Sequence, residues 1–122
     1  MGGKKMNTAD SKTLERKAIA SKNFGDGLLT RFDLLGAHKS YEVALALYTQ
    51  LDEVLGQANV LKAIGDVQYA RSDRDAALQS YEQALARYTQ LDEVLGQANV
   101  LKAIGDVQYA RSDRDAALQS YE

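Results

Sequence analysis

The chain has 122 residues and a formal net charge of −2, with 45% hydrophobic and 26% charged residues, a single histidine, no cysteine and no proline. That is one domain's worth of chain with enough apolar residues to bury a core, which argues against wholesale disorder. The lack of cysteine excludes disulfides, thiolate metal sites and cysteine nucleophiles, and His38 alone cannot make a histidine metal centre, so no cofactor is expected.

Residues 1–10, with Gly2, Gly3, Lys4 and Lys5, read as a flexible start. No signal-peptide h-region follows Met1 and no apolar run approaches the ~18 residues of a membrane span. A cytoplasmic protein without a membrane partner is therefore expected. Residues 11–39 look unrelated to the rest until they are set against it at an offset of 40. Ala18, Lys22, Gly25, Asp26, Arg31, Asp33 and Ala37 then coincide with Ala58, Lys62, Gly65, Asp66, Arg71, Asp73 and Ala77. Residues 40–79 recur at 80–119 with only two changes, Val43 to Gln83 and Leu47 to Arg87, and a further copy starts at Ser120. Such near-identity marks a recent duplication or an engineered array, and the sequence leaves both open. A period of this length signals stacked helical units.

Within a unit the apolar spacing is helical. Val60, Leu61, Ile64 and Val67 recur at three- and four-residue steps, as do Ala77, Tyr81, Ala84, Leu85, Tyr88 and Leu91. Ser72-Asp73-Arg74-Asp75 between them predicts a capping box opening the second helix, with Ser72 as the capping hydroxyl. No strand alternation is present, so the expected fold is all-α, built of stacked antiparallel helix-turn-helix hairpins. The expected division is a degenerate first unit with its second helix over 11–54, a full repeat over 55–94 and a truncated repeat over 95–122.

These residues resemble a long tetratricopeptide repeat. The large slot is Leu61, the Leu-Gly pair is Ile64-Gly65, the small slot is Ala77, the second-helix aromatic is Tyr81, and Ala84 follows. Leu101, Ile104, Gly105, Ala117 and Tyr121 match in the next copy, and the resemblance spans about residues 11–122. The chain departs from the pattern in carrying Gln68 before Tyr69, which turns the aromatic toward the groove. It also has Thr89 near the place of the closing proline, and Ser72, Asp52 and Asp92 in the turns.

The resemblance implies an α-α superhelix in which the first helices of successive units line a concave groove for a peptide or a partner helix. Asn59, Lys62, Asp66 and Tyr69 form one stripe there, Asn99, Lys102, Asp106 and Tyr109 the next, and Lys22 and Asp26 the stripe of the cap. Asparagine can hydrogen-bond a peptide backbone and tyrosine adds amphipathic area. The plainer alternative is that Lys62 and Asp66 are an i,i+4 pair on a solvated face, worth only ~0.2 to 0.5 kcal/mol. Lys22, Lys62 and Lys102 would suit a carboxylate clamp of the kind some members use, but Asp26, Asp66 and Asp106 one turn away oppose an anion. A basic or neutral polar ligand fits better.

An enzyme is not expected. His38 reads as a surface or partly packed histidine, and Asp52-Glu53 and Asp92-Glu93 as acids favouring the start of the next helix. Residues 1–39 carry eight Lys or Arg against four acids, yet lack the clustered arginines and interleaved aromatics of a nucleic-acid site. The function expected is a protein-interaction scaffold, with a structural or engineered repeat chain that associates mainly with itself as the alternative. Two further expectations concern packing. Val43 and Leu47 are expected to cover Leu28, Leu29, Leu34 and Leu35, with an exposed partner site as the alternative. The last unit, with a short second helix from Ser112, is expected to leave an apolar face for a homo-oligomer, either head to tail or swapped by fusion of helices at 91–96.

Overall fold

The structure, a computed structural model, describes residues 7–120. Residues 1–6 of the expected flexible start and the Tyr121 slot lie outside the described residues. Five helices and no strand make up the described chain: α1 (Thr8–Thr30), α2 (Leu34–Gln50), α3 (Val54–Ala70), α4 (Arg74–Gln90) and α5 (Val94–Ser120). α1 packs most heavily on α2 and α3 on α4, while α2 against α3 and α4 against α5 join the hairpins, and α3 also touches α5. This is the all-α stack that the periodicity predicts.

Four turns separate the five helices, and each stops its helix in the same way. The residues just past the helix ends, Phe32, Asp52, Ser72 and Asp92, take left-handed φ angles of 60°, 55°, 64° and 56°. The two amides beyond each end then bond back to the last turn, as in Ser72 N–H to the Tyr69 carbonyl and Asp73 N–H to the Gln68 carbonyl, both 2.9 Å. That is a Schellman stop, which satisfies helix-end carbonyls without proline. Asp tolerates the left-handed region comparatively well, whereas Phe32 is forced into it against its bulk. The capping expectation is corrected here: Ser72 supplies the left-handed residue, and the cap is Asp73, whose Oδ1 accepts from the Ala76 N–H at 3.2 Å. Asp33 caps α2 in the same way, from the Gly36 N–H at 3.0 Å. At the start of α1, Asn7 Oδ1 accepts from the Asp10 N–H at 2.8 Å, so that the helix takes in Thr8 to Asp10.

The core is organised by tyrosines lying on glycines. A Cβ on Gly25 would sit 2.7 Å from the Tyr41 ring, and one on Gly65 would sit 2.5 Å from the Tyr81 ring. These contacts lie within a hairpin. Between hairpins, Tyr48 covers Gly56 and Tyr88 covers Gly96 in the same manner. The missing side chain lets each ring reach the facing helix backbone, and Ala37, Ala44, Ala77 and Ala84, all fully buried, keep the helices close.

Two further expectations are corrected. Val43 is 52% exposed, and the half-buried Leu47 is not among the side chains clustered with the N-terminal leucines. Leu28, Leu29 and Leu34 are instead covered by Tyr41 of α2 and by Val60, Ile64 and Val67 of α3, and Leu35 stays exposed. Helix fusion occurs, but not at 91–96, where Asp92 makes its turn. α5 instead runs unbroken through Arg111-Ser112-Asp113, so the expected second helix from Ser112 does not form. Residues 68–80 and 108–120 are identical in sequence, yet the first stretch turns and the second is helical. Tertiary packing holds the first stretch in its turn: α4 is held back against its neighbours by burial of Ala77, Tyr81, Ala84 and Tyr88.

The tyrosine-glycine contacts make opposite predictions for two glycines. Gly65→Ala should lower the unfolding free energy by ~1 to 3 kcal/mol through overpacking against Tyr81. Gly27→Ala in α1, with nothing within 4 Å of its Cβ position, should raise it by up to ~1 kcal/mol through helix propensity. Urea denaturation of the two variants reads the signs, and equal effects would refute the packing.

Candidate functional site

On α1, α3 and α5 a lysine and an aspartate stand four residues apart and the aspartate directly follows a glycine, which in α1 and α3 receives a tyrosine ring. Lys62 Nζ lies 2.9 Å from Asp66 Oδ2, and the hydroxyl of Tyr81 donates to Asp66 Oδ1 at 2.5 Å. The first hairpin repeats the arrangement, with Lys22 to Asp26 at 2.8 Å and the Tyr41 hydroxyl to Asp26 at 2.5 Å. In α5 the pair Lys102 and Asp106 is looser, at 3.5 Å. The tyrosine body is thus in the core while its hydroxyl reaches the concave face. Burial first, and the hydrogen bond to the aspartate second, hold the hydroxyls of Tyr41 and Tyr81 far above the ordinary tyrosine value. Both are donors at neutral pH. Tyr88 also reaches this face, its hydroxyl, held high mainly by burial, donating to Asn59 Oδ1.

Two depressions mark the concave face. One, of about 330 Å³, is lined by Lys62, Asp66, Tyr69, Asn99, Lys102 and Asp106 over a floor of Tyr81, Ala103 and Val107. The other, of about 260 Å³, takes Lys22, Asp26, Asn59, Lys62, Asp66 and Asn99 over Leu29, Tyr41, Ala63 and Tyr88. Lys62, Asp66 and Asn99 belong to both, so the two are halves of one groove crossing α1, α3 and α5. Of the ten residues expected on this stripe, nine line it. Tyr109 does not, and is 75% exposed. Sequence reasoning placed Tyr81 and Tyr88 on the apolar side of the second helix, did not single out Tyr41, and missed all three hydroxyls; for Tyr41 and Tyr81 the signal was the recurring Gly-Asp pair, in which the aspartate stands beside the glycine that admits the ring.

The electrostatics follow from these partners. Each lysine is compensated by its own aspartate, and Asp26 and Asp66 are additionally tied to a tyrosine, so the groove offers paired charges and amides and no free cation cluster. Asn59 has its oxygen occupied by Tyr88, whereas Asn99 is exposed and has no hydrogen-bond partner among the described residues. Asn99 is the most available amide on the face. His38 Nε2 pairs with Glu42 Oε1 at 3.0 Å on one helix, and Asp52 and Asp92 are left-handed turn residues. Among the described residues no group of three or more His, Cys, Asp or Glu could hold a metal, and no helix is long and apolar enough to cross a membrane.

The sequence model of a family described as Tetratricopeptide repeat matches residues 56–122, more than half of the chain. No curated protein and no solved structure matches.

Two outcomes test the network. Asp66→Ala strands the Tyr81 hydroxyl and should cost ~1 to 3 kcal/mol, whereas Lys62→Ala, with both partners about one-third exposed, should cost less than ~1 kcal/mol. The tyrosines also set a pH dependence. Their folded values lie above the unfolded value of about 10, so their contribution is complete below pH ~10 and is lost as the pH rises toward the folded values. Denaturation midpoints should fall above that point, and less steeply in Tyr81→Phe; identical alkaline profiles would show that the hydroxyl plays no part.

Proposed function

The chain belongs to the tetratricopeptide repeat family, and from that premise we propose that it is a non-catalytic scaffold whose concave groove holds a segment of a partner protein. Members of this family mediate protein-protein interaction. On this reading α1 and α2 are the degenerate first unit, α3 and α4 the full repeat, and α5 carries the third binding stripe.

One observation carries the reading: the two depressions join through Lys62, Asp66 and Asn99 into a groove that crosses three helices of different hairpins. A groove of that course suits an extended peptide or one face of a helix. The internal pairing of Lys22 and Lys62 with Asp26 and Asp66 argues against a carboxylate clamp, since an incoming anion would have to displace a charge already satisfied. Neutral polar or basic segments meet no such competition. Asn99 supplies a free amide for a backbone bond, and Tyr69 forms part of the wall.

A peptide array sampling neutral, basic and acidic sequences tests this, followed by calorimetric titration of the retained peptides. Neutral or basic peptides should bind, and Asn99→Ala should weaken them about tenfold, one hydrogen bond's worth, at unchanged denaturation midpoint. Retention of acidic C-terminal peptides alone, or affinities indifferent to Asn99→Ala and Lys62→Ala, would exclude the groove reading.

A further inference from the structure

The groove carries the same charged pair on α1, α3 and α5: Lys22-Asp26, Lys62-Asp66 and Lys102-Asp106. An ammonium has three donors and a carboxylate about four acceptor positions. Asp66 gives one oxygen to Lys62 and the other to the Tyr81 hydroxyl, and Asp26 does the same with Lys22 and Tyr41. Each pair therefore keeps unused donors on its lysine beside unused acceptors on its aspartate. An incoming cation is opposed by the lysine, and an incoming anion by the aspartate. A primary amide meets neither penalty, because its carbonyl accepts from the ammonium while its NH2 donates to the carboxylate.

Spacing selects the conformation of what carries the amides. α3 touches α5, and packed helices lie ~8 to 10 Å apart, so equivalent groups recur at about that step. A polyproline II helix has three residues per turn and rises ~3.1 Å per residue, which returns the same face every ~9 Å. A β-strand turns side chains three residues apart to opposite faces. An α-helix returns a face after seven residues, or ~10 Å, but a helix docks into a groove by an apolar face. Here the walls are the charged pairs with Asn59 and Asn99, and only the floor is apolar. Asn59 Oδ1 accepts from Tyr88, which leaves its NH2 to donate. A polyproline II backbone has free carbonyls to receive it, whereas those of a helix are already bonded. Resting on the groove reading, we propose that the occupant is a proline-rich segment in polyproline II form with a glutamine or asparagine at every third residue, one amide to each Lys-Asp pair.

Calorimetric titration of the full chain with a Pro-Pro-Gln repeat peptide tests it. The controls are Pro-Gln and Pro-Pro-Pro-Gln repeats of the same length, Pro-Pro-Glu and Pro-Pro-Lys repeats, and an alanine-rich helical peptide with glutamine at every seventh residue. The Pro-Pro-Gln peptide should bind about tenfold or more tightly than each control. Lys62→Met, which keeps the stem and removes the ammonium, should weaken that binding about tenfold at a nearly unchanged denaturation midpoint. Equal affinity at all three glutamine spacings overturns the proposal, as does a preference for the glutamate, lysine or helical peptide; binding that still falls in Lys62→Met then leaves the groove reading intact. Failure of every peptide to bind, or binding indifferent to Lys62→Met, also overturns the proposal. Peptides from the array that respond to Asn99→Ala then keep the groove reading, and their absence removes it as well.

Discussion

The structure depends on four tyrosine rings that lie directly on glycines of the facing helix. A ring can occupy that position only where no Cβ stands, so Gly25, Gly56, Gly65 and Gly96 set the spacing of the helices. The small residues around them, Ala37, Ala44, Ala77 and Ala84, then bury without gaps. In the two hairpins the ring does more than fill space. Its hydroxyl emerges on the concave side at the aspartate that follows the glycine, and this aspartate anchors the lysine one turn earlier. Core and groove are therefore a single network: the charged residues that line the groove are positioned by the aromatic packing beneath them.

The turns obey a looser rule. None of them uses glycine or proline, and all rely on a left-handed residue with two back-bonding amides. Such a stop gains little by itself when the residue is Ser or Phe, so it forms where the next helix has something to bury. Residues 68–80 and 108–120 make the point without a confounding difference, because they are the same sequence in two conformations. Where Tyr81, Ala84 and Tyr88 draw the chain back, Ser72 turns; in α5 helix propagation prevails, since each added residue gains a backbone hydrogen bond for two dihedrals fixed. A turn held this way by tertiary contacts is a natural hinge.

The helical repeat was legible in the sequence because its period survives twice over almost unchanged, and because Val60, Ile64 and Val67 keep their spacing in every reading. The stripe was legible as positions: Asn59, Lys62, Asp66 and Tyr69 were placed on one face of their helix by three- and four-residue steps, and the resemblance implied that Lys22 and Asn99 share that face. Its chemistry was not. Spacing on one helix reveals the Lys62-Asp66 pair, but the Tyr81 hydroxyl arrives from another helix, and its trace in the sequence is only the recurring Gly-Asp pair at which it lands. The straight course of α5 was hidden for the same reason, since local signals at Ser112 and Ser72 are identical. Val43 illustrates the converse error: an apolar difference between copies was read as a buried strip, whereas α3 already covers the N-terminal leucines and Val43 remains in solvent.

The claim that core and groove are one network rests on the bond between Asp66 and Tyr81, and a double-mutant cycle of Asp66→Asn with Tyr81→Phe measures it most directly. Stability of the two single variants and the double variant, from urea denaturation, gives the coupling free of each residue's other contacts. The account predicts a favourable coupling of about 1.5 to 3 kcal/mol, the range for a hydrogen bond to a charged group. Additive effects, with a coupling near zero, would show that the aspartate and the tyrosine merely adjoin and that the groove is independent of the core.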